Sequence, residues 1–190
     1  MKSTDQSLEN DASDSSARPL EGLRVVDLTD HRGDIGPWIL GELGADVIKV
    51  EPPGGCATRH SNPLKKDDAS DLRSLHFGAY ASNKRSIVLD LEASDDRELF
   101  LKLIEGADFL YESGVPAFTA EAGLDRSDIQ EVNPQLVHVL ITPFGENGPR
   151  ANDPHSEMSI ASLGGSPNLQ GTPERPPVKA SIPQVWRHAG

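Results

Sequence analysis

The sequence predicts an α/β fold, a mostly parallel sheet with helices on both faces, and three observations carry that prediction. Short apolar runs recur along the chain, amphipathic segments separate them, and Gly- or Pro-rich turns mark the joins. Strands alternating with helices imply βαβ units with right-handed crossovers, hence parallel neighbours. A length of 190 residues allows one such domain with its own core and is short for two.

The elements follow in order. Residues 1–18 read as a disordered acidic tail, because Met1 and Leu8 are the only strongly apolar side chains through Ala17. The domain is expected over 19–190. Leu23 to Thr29 is the first strand, and Pro37 suits the first turn of a helix that Gly44 closes. Asp46 to Glu51 is the second strand, stopped by Pro52-Pro53-Gly54-Gly55, and Ser86 to Leu91 is the third. Ser94 caps a helix through Ile104, with Asp95, Asp96 and Glu98 favourably placed in its first turns. Asp108 to Tyr111 is the fourth strand, Asp125 to Val132 a short helix, and Leu136 to Thr142 the fifth strand. A loop follows, then a helix from Ser156 to Leu163 and a turn-rich stretch to Pro177. The end at Gly190, with no closing element, suggests a fragment or a truncated gene.

Composition excludes several classes. Thirty acidic against 18 basic residues give a net charge of -12, unlike the basic face of a nucleic-acid binder. Cys56 is the single cysteine, so neither an internal disulfide framework nor a cysteine-based zinc cluster is available, and no metal site is expected. It reads as a small loop residue, with a thiol nucleophile as the alternative. No apolar run approaches the roughly 18–20 residues that span a membrane. A signal-peptide h-region is missing too, so a cytoplasmic location is expected.

In parallel sheets ligands bind at the carboxyl ends of strands. The turn after the first strand, Asp30-His31-Arg32-Gly33-Asp34-Ile35-Gly36-Pro37, therefore stands out. Gly33 and Gly36 let a backbone approach a ligand, Arg32 can fork to a phosphate, and a helix N-terminus follows. A solvated tight turn is the competing reading. Arg59-His60, Lys65-Lys66 and Lys84-Arg85 are further cations in loops. His138, within a strand, reads as a hydrogen-bonded structural residue.

Several segments together resemble one family. Residues 19–28 (PLEGLRVVDL), 44–51 (GADVIKVE) with Thr58-Arg59 after them, and 83–91 (NKRSIVLDL) are similar to the class III, CaiB/BaiF-type coenzyme A-transferases. So are Gly106-Ala107-Asp108 with Glu112, Gly123-Leu124, Asn133 to Val137, and 142–149 (TPFGENGP). The resemblance implies a Rossmann-like CoA-binding domain, of which this chain is the N-terminal part, incomplete without a C-terminal half. It also implies an interlocked homodimer that moves CoA between an acyl-CoA and a free carboxylate. CoA and acyl-CoA are then substrates, with no permanently bound cofactor.

The family's nucleophilic aspartate lies in a loop that resembles Gly171-Thr172-Pro173-Glu174-Arg175-Pro176-Pro177, which places Glu174 at that position. A carboxylate is ionised at neutral pH and can accept and release an acyl group; a surface turn residue is the alternative. Asp34 stands where the formyl-CoA branch has a catalytic glutamine. The candidate CoA-binding set is Arg32 and Gly33 from the turn and Arg59 as a further cation, with backbone contacts on the adenine side, implied by the resemblance, at Leu89, Asp90 and Leu91 and at Ser113, Gly114 and Val115. Basic residues of that branch align with Pro52, Glu92, Glu121 and Thr142, which should weaken polyanion binding unless Arg32, Arg59 or Lys84 compensates. The two bases of the racemase branch align with Ser156 and Arg187, which disfavours a racemase. A catalytically degenerate CoA-binding or partner subunit is the main alternative, and an isomerase using His155 a lesser one.

Overall fold

Register makes the sheet. The computed structural model describes residues 18–66, 73–181 and 184–189. In it β1 (Arg24–Leu28) runs parallel to β2 (Asp46–Glu51), with Val25 beside Val47 and Asp27 beside Lys49. On its other side β1 pairs with β4 (Phe109–Ser113), and β3 (Arg85–Val88) and β5 (Val137–Ile141) complete the order β3-β2-β1-β4-β5. All four pairings are parallel, as predicted. The predicted acidic tail lies outside the described residues except for Arg18, whose N–H donates to Glu21 Oε2 and whose side chain lies against Gly44.

Successive strand residues point to opposite faces, so each strand contributes to two different layers. One face buries Val26, Leu28, Val50 and Leu110 beneath α3 (Ser94–Glu105) and α5 (Arg126–Val132). Phe100, Ile104 and Ile129 are the helices' side of this layer and are all but inaccessible. Each such side chain stabilises the fold by about 1.5–3 kcal/mol through burial. The opposite face is covered by α1 (Ile35–Glu42), through Leu40, over Val25 and Val47. Helices thus cover both faces.

The boundaries shift where local chemistry overrides pattern. Helix α1 starts at Ile35 rather than at Pro37, because Asp30 O already accepts the N–H groups of Gly33 and Asp34 and leads the chain into the helix. Pro37 then sits in the first turn, where its missing N–H costs nothing. Gly44, at φ +109°, closes the helix as expected. Ser94 lies inside α3 and does not cap it; Ala93 is the cap, and Asp96 instead accepts the N–H of Asp90 at 2.8 Å. Asp125 forms a capping box with Asp128 at the start of α5, and Ser156 caps α6 (Glu157–Leu163).

Three helices lacked a clear signal in the sequence, the last of them where no closing element was expected. The crossover from β2 to β3 contains α2 (Leu75–Ala81), capped by Ser74 Oγ at 3.2 Å from Phe77 N. Gly78 in its middle and the polar segment before it obscure its period. After β4 comes the single turn α4 (Phe118–Glu121). β3 is shorter than predicted and exposed along its length, while Leu89 and Leu91 leave the strand and enter the core. The last described element is α7 (Val185–Ala189). No helix among the described residues is long and apolar enough to cross a membrane.

Candidate functional site

The strand order reverses beside β1: the chain steps from β1 to β2 and β3 on one side, then crosses from β3 to β4 and β5 on the other, which opens a crevice at the carboxyl ends of the strands. A cleft of about 210 Å³ occupies it, lined by Thr29, Asp30 and Arg32 after β1, Pro52 and Cys56 after β2, and Ser113 and Val115 at the end of β4. Asp30 organises the loops. Its N–H donates to Ser113 Oγ at 2.9 Å, that hydroxyl donates back to Asp30 Oδ1 at 2.9 Å, and Arg32 Nη2 donates to Oδ2 at 2.7 Å. Burial disfavours the charged form of Asp30, but the Arg32 hydrogen bonds outweigh it and hold the carboxyl below the ordinary range.

Two glycines are dictated by packing here. Gly114 has φ +120°, and a Cβ there would lie 3.0 Å from Arg32 Nη2, so only glycine brings the β4 loop against the guanidinium. At Gly33 a Cβ would lie 2.6 Å from Ile141 Cδ1 and 3.0 Å from Thr29 Cγ2. That close approach is to the protein's own interior.

A groove of about 250 Å³ extends the cleft, sharing Pro52, Phe118 and Glu121 with it and adding Leu89 to Glu92. It gathers three of the four positions where the resemblance lacks a cation, Pro52, Glu92 and Glu121, and Asp90 adds another carboxylate. Thr142 stays apart, its Oγ1 accepting the N–H of Gly145. The backbone at Leu89–Leu91 is less available than expected: Leu89 N donates to Glu51 O, Asp90 N to Asp96 Oδ2, and Leu91 O accepts from Arg97. Gly114 N likewise donates to Ile141 O. Ser113 and Val115 border the cleft itself.

The three cations expected to compensate all have carboxylate partners. Arg32 pairs with Asp30, Arg59 with Glu51 through Nε (2.5 Å) and Nη2 (2.6 Å), and Lys84 with Asp27 at 2.7 Å. Glu51 has no exposed surface in its side chain. Burial opposes its ionisation, yet Arg59, Ser86 and the N–H of Cys56 bring its pKa down to about 2. The buried Cys56 thiol is pushed up, mainly by desolvation, away from the reactive thiolate.

Asp34 occupies the N-cap position before α1, and its Oδ2 lies 2.5 Å from His76 Nε2 on α2. His76 also tilts against the Tyr80 ring, 5.0 Å between centroids, and Trp38 meets Tyr80 edge-on. A histidine oriented by a buried carboxylate is suited to proton transfer or to a carboxylate ligand. Sequence reasoning singled out Asp34 but not His76, whose partner lies 42 positions away. Glu174 lies in an exposed turn. Among the described residues no hydrogen bond, ion pair or shared cleft joins it to Asp34 or to the Asp30–Arg32 turn. His138 is structural as expected, 2.7 Å from the buried Glu112. His155 stacks edge-on against Trp186 at 6.2 Å, and Arg187 lies over the Tyr80 ring. No group of three His, Cys, Asp or Glu among the described residues is placed to hold a metal.

The model of CoA-transferase family III matches residues 20–190. The chain belongs to that family. The succinyl-CoA:(R)-benzylsuccinate CoA-transferase subunit BbsE of Thauera aromatica is 37% identical over 88% of this chain and 41% of its own length. The acetyl-CoA:oxalate CoA-transferase of Acetobacter aceti is 36% identical over 85% of this chain and 41% of its own. The crystal structure of a CaiB/BaiF family protein from Brucella suis superposes with a TM-score of 0.76 at 38% identity, covering 86% of this chain and 44% of that one. This family III chain therefore spans about two fifths of the length of the curated relatives it matches. The segments that carry the resemblance are the ones that interlock here: VVDL, VIKVE and NKRS supply Asp27, Lys49 and Lys84, and VIKVE with Thr58-Arg59 supplies Glu51 and Arg59.

Proposed function

We propose that this chain is the CoA-binding N-terminal part of a CoA-transferase that moves CoA between an acyl-CoA and a free carboxylate. The observation that carries the reading is the cleft at the strand ends, where the Asp30–Arg32 turn and the Ser113–Val115 loop converge at a switch point. In a chain of this family such a crevice suits a CoA thioester. Arg32, seated by Asp30 and Gly114, would meet a phosphate with the part of its guanidinium that faces the cleft. The Leu89–Leu91 segment, in the groove that extends the cleft, would border the same ligand.

Glu174 would attack the thioester carbonyl, forming a mixed anhydride and releasing CoA thiolate. That thiolate would attack the glutamyl carbonyl, freeing the first carboxylate and leaving a glutamyl-CoA thioester. The acceptor carboxylate would then take its turn, and Glu174 would be regenerated. Asp34 with His76 would orient the carboxylates and hold a proton. Nothing in this cycle needs a permanently bound cofactor. The enzyme would work in the cytoplasm as an interlocked homodimer. Leu163, Leu169 and Val178, exposed apolar side chains before and after Glu174, suit a surface covered by a second copy.

A second reading, a CoA-binding partner subunit without turnover, draws on Asp90, Glu92 and Glu121 in the groove. One experiment separates the two. The chain is incubated with acyl-CoA, trapped with borohydride or hydroxylamine and mapped by mass spectrometry, with CoA binding measured by calorimetry alongside. Modification at Glu174 is expected. CoA binding without modification supports the subunit, and absence of both overturns the CoA reading.

A further inference from the structure

Five of the chain's 18 basic residues, Lys49, Arg59, Lys65, Lys84 and Arg85, line one cavity of about 420 Å³ between α2 and the β2–β3 side of the sheet. Among the described residues no carboxylate lines it, in a chain with a net charge of -12. It shares no lining residue with the strand-end cleft. The buried wall is what makes it a site. Lys49 and Lys84 keep only 3% and 1% of their side chains exposed, and both donate to the same atom, Asp27 Oδ2, at 3.4 and 2.7 Å. Asp27 has nothing more to offer, since its Oδ1 already accepts Thr29 N at 2.8 Å and Thr29 Oγ1 at 2.6 Å.

Each ammonium carries three N–H groups. Lys49 directs its second to Thr29 O at 2.7 Å, and Lys84 its second to Asp34 O at 3.2 Å. One N–H on each therefore has no acceptor among the described residues; both ammonium groups share the Asp27 carboxylate, with Glu51 also acting on Lys49 and Asp34 on Lys84. A buried N–H without an acceptor is costly, and an anion seated between the two ammonium groups would supply one. Burial holds the Lys84 ammonium below its ordinary pKa, with Asp27 opposing and Lys49 adding to the effect, whereas Asp27 and its neighbours outweigh burial at Lys49 and hold it above its ordinary value. At the rim stand the exposed Lys65 and Arg85, with Phe77 and Ala81 giving an apolar wall.

We propose that this cavity binds a small oxyanion, a carboxylate or inorganic phosphate, between the Lys49 and Lys84 ammonium groups. The site does not depend on the CoA reading, and its test uses no CoA. The chain is titrated at pH 7 with oxalate, succinate and inorganic phosphate, by calorimetry and by thermal melting, against chloride at equal ionic strength. Saturable binding of one anion per chain is expected, with a melting temperature that rises with anion concentration. Lys84→Met should weaken that binding about tenfold or more, as loss of a charged donor does. Lys65→Met, at the exposed rim, should weaken it about threefold with melting unchanged in the absence of anion. Binding of carboxylates alone identifies the ligand as an organic acid; equal binding of phosphate identifies a general oxyanion site. No saturable binding beyond chloride overturns the proposal, and so does a folded Lys84→Met chain that binds as well as the original. Should Lys84→Met fail to fold, Lys65→Met decides: weakened binding supports the site and unchanged binding removes it.

Discussion

The two faces of the sheet are built from the same strands and on opposite principles. Beneath α3 and α5 lies an apolar layer, Val26, Leu28, Val50, Leu110 and the helix residues Phe100, Ile104 and Ile129. Beneath α1 and α2, residues one position along the same strands place Asp27, Lys49 and Glu51 at full or nearly full burial. The first face stabilises through area removed from water and tolerates small changes of shape. The second offsets the cost of buried charge only while every partner stays in place. It also joins the loops that form the strand-end cleft, since Lys49 holds Thr29 O and Lys84 holds Asp34 O. Stability and positioning are thus divided between the faces.

Removing a central charge tests that division most severely. Asp27→Ala leaves Lys49 and Lys84 facing each other without their carboxylate and should cost about 3–5 kcal/mol in denaturant unfolding. A loss below about 1 kcal/mol would mean that the charged face behaves like an exposed surface. Acid addresses the same face more gradually. The folded-state pKa of Glu51, about 2, lies below its ordinary value of 4.5. Its contribution is therefore complete above 4.5 and is lost as the pH falls from there through about 2. Urea midpoints across that range should show Glu51→Gln flattening this part of the acid limb; an unchanged limb would remove Glu51 from the account. On the apolar face Ile104→Val should cost about 0.5–1.5 kcal/mol, read as a lower midpoint at constant m. A larger loss there than at Asp27 would invert the comparison.

Most of the sheet was legible because its strands are apolar runs bounded by turns, and the parallel pairing followed from the helices between them. Helix α2 was hidden by Gly78, although a parallel crossover between β2 and β3 calls for a helix. The family was legible from segments such as GADVIKVE and NKRSIVLDL, yet what those segments do was not. Lys84 and Arg59 read as loop cations available to a phosphate. Only the register of Asp27 beside Lys49, and the return of α2 to the sheet, shows them engaged with Asp27 and Glu51. Gly33 is similar: its type was conspicuous, but its reason, the Ile141 side chain, comes from a strand over a hundred positions away.

The pairing of Arg32 with Asp30 has a kinetic side. A phosphate approaching the cleft meets a guanidinium whose charge is already balanced, set in a chain whose summed field is negative. On the proposed CoA reading, long-range attraction would contribute little to encounter, and the ligand would be retained by exchange of partners at short range rather than gathered from a distance. Added salt, which slows association at a cationic site, would here screen a repulsion and leave the exchange itself almost untouched.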